Sequence, residues 1–204
     1  EPLYNFAVVV DDYRMKISHV IRGEEHLANT PKQILIAEAL DIKTPEYAHL
    51  PIILSATGKG KMSKRDGGTA IREYREAGYL PEALLHFLAL VGWHPRGDRE
   101  LLSLEEIIRE FSLERVQKSG AKFDPEKLDY FNAHYLRAVP IEKLIKLLSI
   151  DHYSLPKWRA NPEQFRRIVE LLRERIVKLS DFRTLAETYF ELPPYEAGLL
   201  VWKK

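Results

Sequence analysis

The sequence predicts an α/β fold followed by an all-α region. Three observations predict it. Short apolar runs of strand length, Phe6 to Val10 and Tyr47 to Leu54, fall in the first third. A capped helical stretch lies between them. After Thr69 the chain turns into successive helix starts marked by a capping residue and a proline.

Each element follows from local chemistry. Phe6-Ala7-Val8-Val9-Val10 is nearly all apolar and is stopped by Asp11-Asp12, which predicts a buried strand. Met15 to Arg22 reads as a second strand, with Ile17, His19 and Ile21 on one face and Gly23 ending it. Thr30-Pro31-Lys32-Gln33 predicts a helix to about Leu40, with Thr30 as cap, Pro31 in the first helical position and Gln33 closing a capping box. Tyr47 to Leu54 is the next strand. Strand, helix and strand in this order imply a parallel crossover, and ligands of such sheets bind at the carboxyl ends of the strands.

The remaining starts are Thr69 for a short helix ending at Gly78, Pro81 for one stopping at Gly92, and Ser103 with Glu106 for one through Phe111. Further helices run from Asp124-Pro125 to about Ala138, from Pro140 to about Leu148, from Asn161-Pro162 to about Leu179, and from Asp181 to Phe190. His152 to Ala160 reads as a loop.

Composition narrows the function. The 204 residues carry 45% hydrophobic and 30% charged side chains, and the net charge is +1, so nucleic-acid binding must come from local patches rather than from a polycationic chain. There is no cysteine, which excludes disulfides and cysteine-based zinc sites. No apolar run is long enough to span a membrane. The opening Glu1-Pro2-Leu3 moves at once into a buried-looking segment, and the expectation is a piece of a longer protein.

The loop Lys59-Gly60-Lys61-Met62-Ser63-Lys64-Arg65-Asp66-Gly67-Gly68 joins mobile glycines to a run of cations after a strand. A movable cationic loop suits chemistry in which phosphate charge builds up and must be neutralised, with Lys61 and Lys64 as point charges and Ser63 as a turn former or phosphate donor. A solvated hairpin tip is the plainer alternative. No Walker-type phosphate loop is present, which argues against the usual kinase and NTPase classes. Arg22-Gly23-Glu24-Glu25-His26 follows a strand. Arg22 can clamp a carboxylate, Glu25 can accept from an ammonium group, and His26 can lie against a base. A charged turn is the alternative. Tyr4 either presents its hydroxyl to a ligand or packs. Asp11 and Asp12 read as strand-ending residues, the histidines show no metal-like clustering, and His49, His86 and His134 read as structural. Arg166, Arg167, Arg173, Arg175 and Lys178 read as a salt-bridged face, with an RNA-facing surface as the sharper alternative.

Together these segments resemble bacterial-type glutamyl-tRNA synthetase, a class I family, which implies that the α/β part is the second half of a Rossmann-like nucleotide-binding fold and that three domains run over 1–72, 73–139 and 140–204. The matching stretches are Tyr4 to Asp12, His19 to His26, Asn29 to Gln33, His49-Leu50-Pro51, Lys61 to Arg65, Gly78 to Leu85, and Phe123 to Leu136. The resemblance implies that Tyr4, Arg22 and Glu25 line the glutamate pocket and that His26 lies beside adenosine. It implies that the backbone of Ile52 and Ile53 reads adenine, and that Lys61, Ser63, Lys64 and Arg65 serve the ATP phosphates. ATP with its Mg²⁺, glutamate and tRNA(Glu) are the implied substrates, and the implied setting is a cytoplasmic monomer without a zinc site in this segment. The helices after the loop would contact the inner corner of tRNA, and those after Pro140 would begin an anticodon-binding domain. The family's first nucleotide-binding half, its connective domain and the rest of its anticodon-binding region have no counterpart in these residues, so the segment alone is expected to be inactive. A glutamyl-queuosine tRNA(Asp) synthetase-like enzyme and a non-catalytic tRNA-binding module are the competing readings, and the helices from Pro140 to Phe190 favour the synthetase.

Overall fold

The computed structural model describes residues 3–58, 60–62, 70–97, 99–191 and 196. The chain forms two compact units, Glu1–Asp66 with Ala89–Phe123, and Gly67–Leu88 with Asp124–Lys204.

The first unit opens on a helix, not a strand. Helix α1 spans Tyr4–Arg14 and takes in the whole Phe6–Val10 run. Valine's strand preference is a weak bias that tertiary context overrides. Here only Val9 of the helix is buried, and Asn5 Oδ1 accepts from Gln33 Nε2 at 3.0 Å, so α1 sits against the next helix. Strand β1 is His19–Gly23, shorter than expected because Met15 to Ile17 close the end of α1, with Lys16 at φ of +57° and Ile17 N–H donating to Asp12 O. A 3₁₀ turn over Glu24–Asn29 leads into helix α2, Thr30–Ala39. Pro31 stands in its first turn, but Thr30 is not a cap and Gln33 closes no box, since both side chains face other partners.

Strand β2, Glu46–Leu50, pairs with β1 in parallel, placing Val20 beside Tyr47 and Arg22 beside His49. The strand expected to run on to Leu54 is interrupted at Pro51, which has no N–H for a ladder. It resumes as β3, Ile53–Leu54. A tight turn follows, with Gly58 and Gly60 at φ of +73° and +84°. Ser55 N–H donates to Gly60 O and Met62 N–H to Ile53 O, so Lys61 returns opposite Leu54. Beyond this hairpin the same unit holds helix α5, Leu104–Glu110, with the expected reciprocal Ser103–Glu106 capping box. Strand β4, Ala121–Lys122, pairs in parallel with β3.

The second unit is helical. It contains α3 (Ile71–Ala77), α4 (Pro81–Leu90, divided near its end between the two units), α6 (Pro125–Ala138), α7 (Ile141–Leu148), α8 (Pro162–Leu172) and α9 (Asp181–Phe190). Asp124 and Asn161 accept from first-turn N–H groups of α6 and α8, as their cap-then-proline spelling predicts. The expected cap at Thr69 lies outside the described residues. Helix α8 stops short of Leu179 because Asp181 Oδ2 takes the N–H groups of Val177 and Lys178 at 2.9 and 2.8 Å, donors that a continuing helix would use. The segment read as a loop contains a 3₁₀ turn, Pro156–Ala160, whose Trp158 is buried against Phe190.

Candidate functional site

The candidate site lies in the first unit, at the carboxyl ends of β1 and β2 and beside the β3 hairpin. Arg22 is the fourth residue of β1. In parallel pairing, partners share a face of the sheet and so do residues two apart. Register therefore puts His49 and Tyr47 on the face that Arg22 uses. The guanidinium lies over the Tyr47 ring, 5.4 Å from its centroid. Its Nη2 donates to Thr30 Oγ1 at 2.7 Å and its Nε donates to His49 Nε2 at 3.4 Å.

Gly23 keeps ordinary extended backbone, with φ of −64° and ψ of 148°. An added Cβ there would stand 2.0 Å from Glu25 Oε2, the far end of a flexible side chain, so the Glu25 carboxylate folds back over the space beside Gly23. That fold directs Glu25 to Lys61, whose Nζ donates to Oε1 at 2.9 Å. The hydrogen bond from Lys61 is the main reason the Glu25 carboxyl sits below the usual range. Both side chains are largely exposed, so the pair is a solvated contact of small energy. The neighbouring Glu24 accepts from Ile52 N–H at 3.2 Å and joins the turn to the segment between β2 and β3. Tyr4, at the start of α1, is half exposed, with its ring 6.0 Å from that of His26.

The structure thus draws Arg22, Glu25, His26, Tyr4, Ile52 and Lys61 into one neighbourhood of the unit. Ile53 stands in β3, with its carbonyl engaged by Met62 N–H. Ser63, Lys64 and Arg65 lie outside the described residues. Asp12 does not end a strand. It stands within α1, where burial raises its carboxyl and the positive charge of Arg22 partly offsets the rise. Among the described residues no group of three or more His, Cys, Asp or Glu could hold a metal ion.

Sequence reasoning missed Thr30, Tyr47, His49 and Glu24 as partners of the site. Alternation alone puts Tyr47 and His49 on one face of their strand, but their register with Arg22 comes only from the pairing of β1 with β2. Away from the site, the basic stretch near Arg166 is mostly engaged. Arg166 pairs with Glu142 and Glu170, Arg167 with Glu163, and Arg173 donates to the carbonyls of Arg137 and Val139.

A family model described as tRNA synthetases class I (E and Q), catalytic domain, matches residues 1–130, more than half of the chain. The chain belongs to this family of glutamate and glutamine class I tRNA synthetases. A glutamate–tRNA ligase of Desulfitobacterium hafniense is 58% identical over 146 residues, which is 72% of this chain and 30% of that one. A glutamate–tRNA ligase of Moorella thermoacetica is 44% identical over 200 residues, covering 93% of this chain and 39% of the relative. The crystal structure of a glutamate–tRNA synthetase from Elizabethkingia anophelis superposes with a TM-score of 0.80 at 36% identity, covering 94% of this chain and 42% of that one. This class I synthetase chain therefore spans less than half the length of these relatives. No helix among its described residues is long and apolar enough to cross a membrane.

Proposed function

We propose that this chain is the second part of the catalytic domain, with the helices that follow, of a longer cytoplasmic, monomeric glutamate–tRNA ligase. The observation that carries the reading is the contact between Glu25 and Lys61 at 2.9 Å. It brings the start of the cationic loop to the segment that also holds Arg22, so carboxylate-binding and phosphate-binding groups share one place. In this reading Arg22 pairs with a glutamate carboxylate, Glu25 accepts from its ammonium group, and Tyr4 closes the pocket. His26 lies beside adenosine, and the backbone of Ile52 and Ile53 reads adenine. For Ile52 that requires its N–H to leave Glu24.

A glutamate carboxylate oxygen attacks the α-phosphorus of ATP, brought in as its Mg²⁺ complex, and pyrophosphate leaves. The 3′-terminal hydroxyl of tRNA(Glu) then attacks the acyl carbon, and AMP leaves. Such steps depend on positioning and charge stabilisation. Lys61, Ser63, Lys64 and Arg65 supply them at the phosphates. The three segments 1–72, 73–139 and 140–204 take the roles of catalytic half-domain, stem-contact region and start of the anticodon-binding region. The helices α7 to α9 favour this enzyme over a glutamyl-queuosine tRNA(Asp) synthetase-like one, which lacks a long helical extension.

Glutamate-dependent ATP–pyrophosphate exchange, with and without tRNA, tests the reading on this chain and on the full-length protein. Exchange is expected in the full-length protein alone, with Lys64→Ala slowing it at least a hundredfold, the usual scale for losing one charge-stabilising group. A folded, tRNA-supplied full-length protein with no exchange would favour a non-catalytic tRNA-binding module, and an unimpaired Lys64→Ala variant would remove the loop from the mechanism.

A further inference from the structure

Building on the functional reading above, we propose that Thr30 and His49 are positioning residues for Arg22, holding one edge of its guanidinium so that the other edge is presented to the substrate carboxylate. A guanidinium has five N–H donors and no acceptor, arranged in a plane with two usable edges. The edge formed by Nε and the near hydrogen of Nη2 is taken up by His49 Nε2 and Thr30 Oγ1. The Tyr47 ring fixes the plane from one face. Among the described residues nothing hydrogen-bonds Nη1. The terminal edge, Nη1 with the second hydrogen of Nη2, is the one left for a bidentate carboxylate.

The direction of each hydrogen bond follows from donor chemistry. Arg22 can only donate, so the Thr30 oxygen accepts at 2.7 Å and its own hydrogen must go elsewhere. Two acceptors lie in reach: His49 Nε2 at 3.0 Å and His26 O at 3.5 Å. Arg22 Nε donates to His49 Nε2, so that nitrogen carries a lone pair, and the Thr30 hydrogen goes to it or to His26 O. The Arg22 Nε contact on that lone pair, at 3.4 Å, is the longer of the two at Nε2. Thr30 is 8% exposed and is the first residue of α2, so its hydroxyl is fixed by the helix rather than by a mobile loop. His49 is fixed by β2, opposite Arg22 in the ladder. A long, flexible arginine is thereby held at three points by residues on two elements of regular structure. That is how a site limits the entropy lost on binding.

The test uses the full-length ligase and pyrophosphate exchange. Thr30→Val keeps the shape and removes both hydrogen-bonding roles. It is expected to raise KM for glutamate about tenfold, the lower end of losing a hydrogen bond to a charged group, while KM for ATP changes less than about twofold. Thr30→Ser keeps the hydroxyl and is expected to restore most of the affinity. In an Arg22→Gln background, Thr30→Val is expected to add almost nothing, because the group it positions is gone. Should Thr30→Val not fold, His49→Phe against His49→Gln makes the same comparison, with only the second retaining an acceptor near Nε2. The proposal is overturned if glutamate KM is unchanged in Thr30→Val, if KM for glutamate and ATP rise together, or if the loss persists in the Arg22→Gln background. A wild-type full-length protein without glutamate-dependent exchange is a separate result, seen before any substitution is made. It removes the functional reading, and this proposal with it.

Discussion

In the helical unit, 16 buried side chains from Leu80 to Ala186 form one continuous core. Among the described residues up to 62, only Val9 and Ala37 are both apolar and buried, while Leu3, Met15, Leu27 and Leu35 stay mostly exposed. The two regions are held by different forces. Burial at about 25 cal/mol per Å² of apolar area stabilises the first. The second relies on short strands, on Gln33–Asn5, Arg22–Thr30 and Ile52–Glu24 hydrogen bonds, and on an exposed ion pair. Each such net contribution is near 1 kcal/mol. The site thus rests on hydrogen bonds and an ion pair of small individual energy, and the well-packed helical core carries none of it.

The largest effect that would sharpen this contrast is expected from Phe182→Ala. Phe182 is fully buried in the helical core, and its truncation should cost about 3–5 kcal/mol. Denaturant unfolding with hydrogen exchange should show protection lost in α6 to α9 and retained at the β1–β2 amides. Equal loss in both places would break the distinction.

A smaller effect is expected at Tyr79, whose hydroxyl donates to Asp129 at 2.5 Å, beside Lys178 at 3.1 Å from the same carboxylate. Tyr79→Phe should cost about 1.5–3 kcal/mol, the range for losing a hydrogen bond to a charged group. Burial, reinforced by Asp129, pushes the phenol well above its usual range. Its folded pKa is raised, so its contribution is fully present below the unfolded value, about 10, and is lost as pH rises through the folded value. The wild-type helical unit should therefore lose stability above about pH 10 more steeply than Tyr79→Phe, as read by thermal unfolding against pH.

The smallest effect belongs to Leu35→Ser. Leu35 is 64% exposed on α2, so the change should stay within about 0.5 kcal/mol in the same unfolding measurement. A loss of 2 kcal/mol or more would show that the face is covered in solution.

The helical unit was the more legible of the two in the sequence. Asp124-Pro125 and Asn161-Pro162 name their helix starts outright, because capping is a local hydrogen bond between neighbours. Gly78, at φ of +92°, ends α3 where a glycine was read as a stop. Legibility failed where the deciding partner is distant in sequence. Phe6 to Val10 spells a strand by propensity, yet contacts such as Asn5 with Gln33 fix a helix. Thr30 spells a cap, yet its hydroxyl is claimed by Arg22 and His49. At the site, the types of Arg22, Glu25 and Lys61 were readable, and their company was not. His49 looked structural because nothing local reveals that β2 lies in register with Arg22.

The division into Glu1–Asp66 with Ala89–Phe123, and Gly67–Leu88 with Asp124–Lys204, has a topological consequence. Each unit is assembled from two stretches, and the chain passes from one unit to the other three times. Strand β3 needs β4, which lies far along the chain on the other side of α3 and α4. The C-terminal carbonyls of α3 likewise need Tyr153 and Ser180, whose hydroxyls donate to Arg75 O and Ala77 O. A single cut of the backbone therefore frees neither unit intact, because every one-cut piece that completes one unit also carries a stretch of the other. Any attempt to isolate the two must splice as well as trim, joining residue 66 to 89 for one and 88 to 124 for the other.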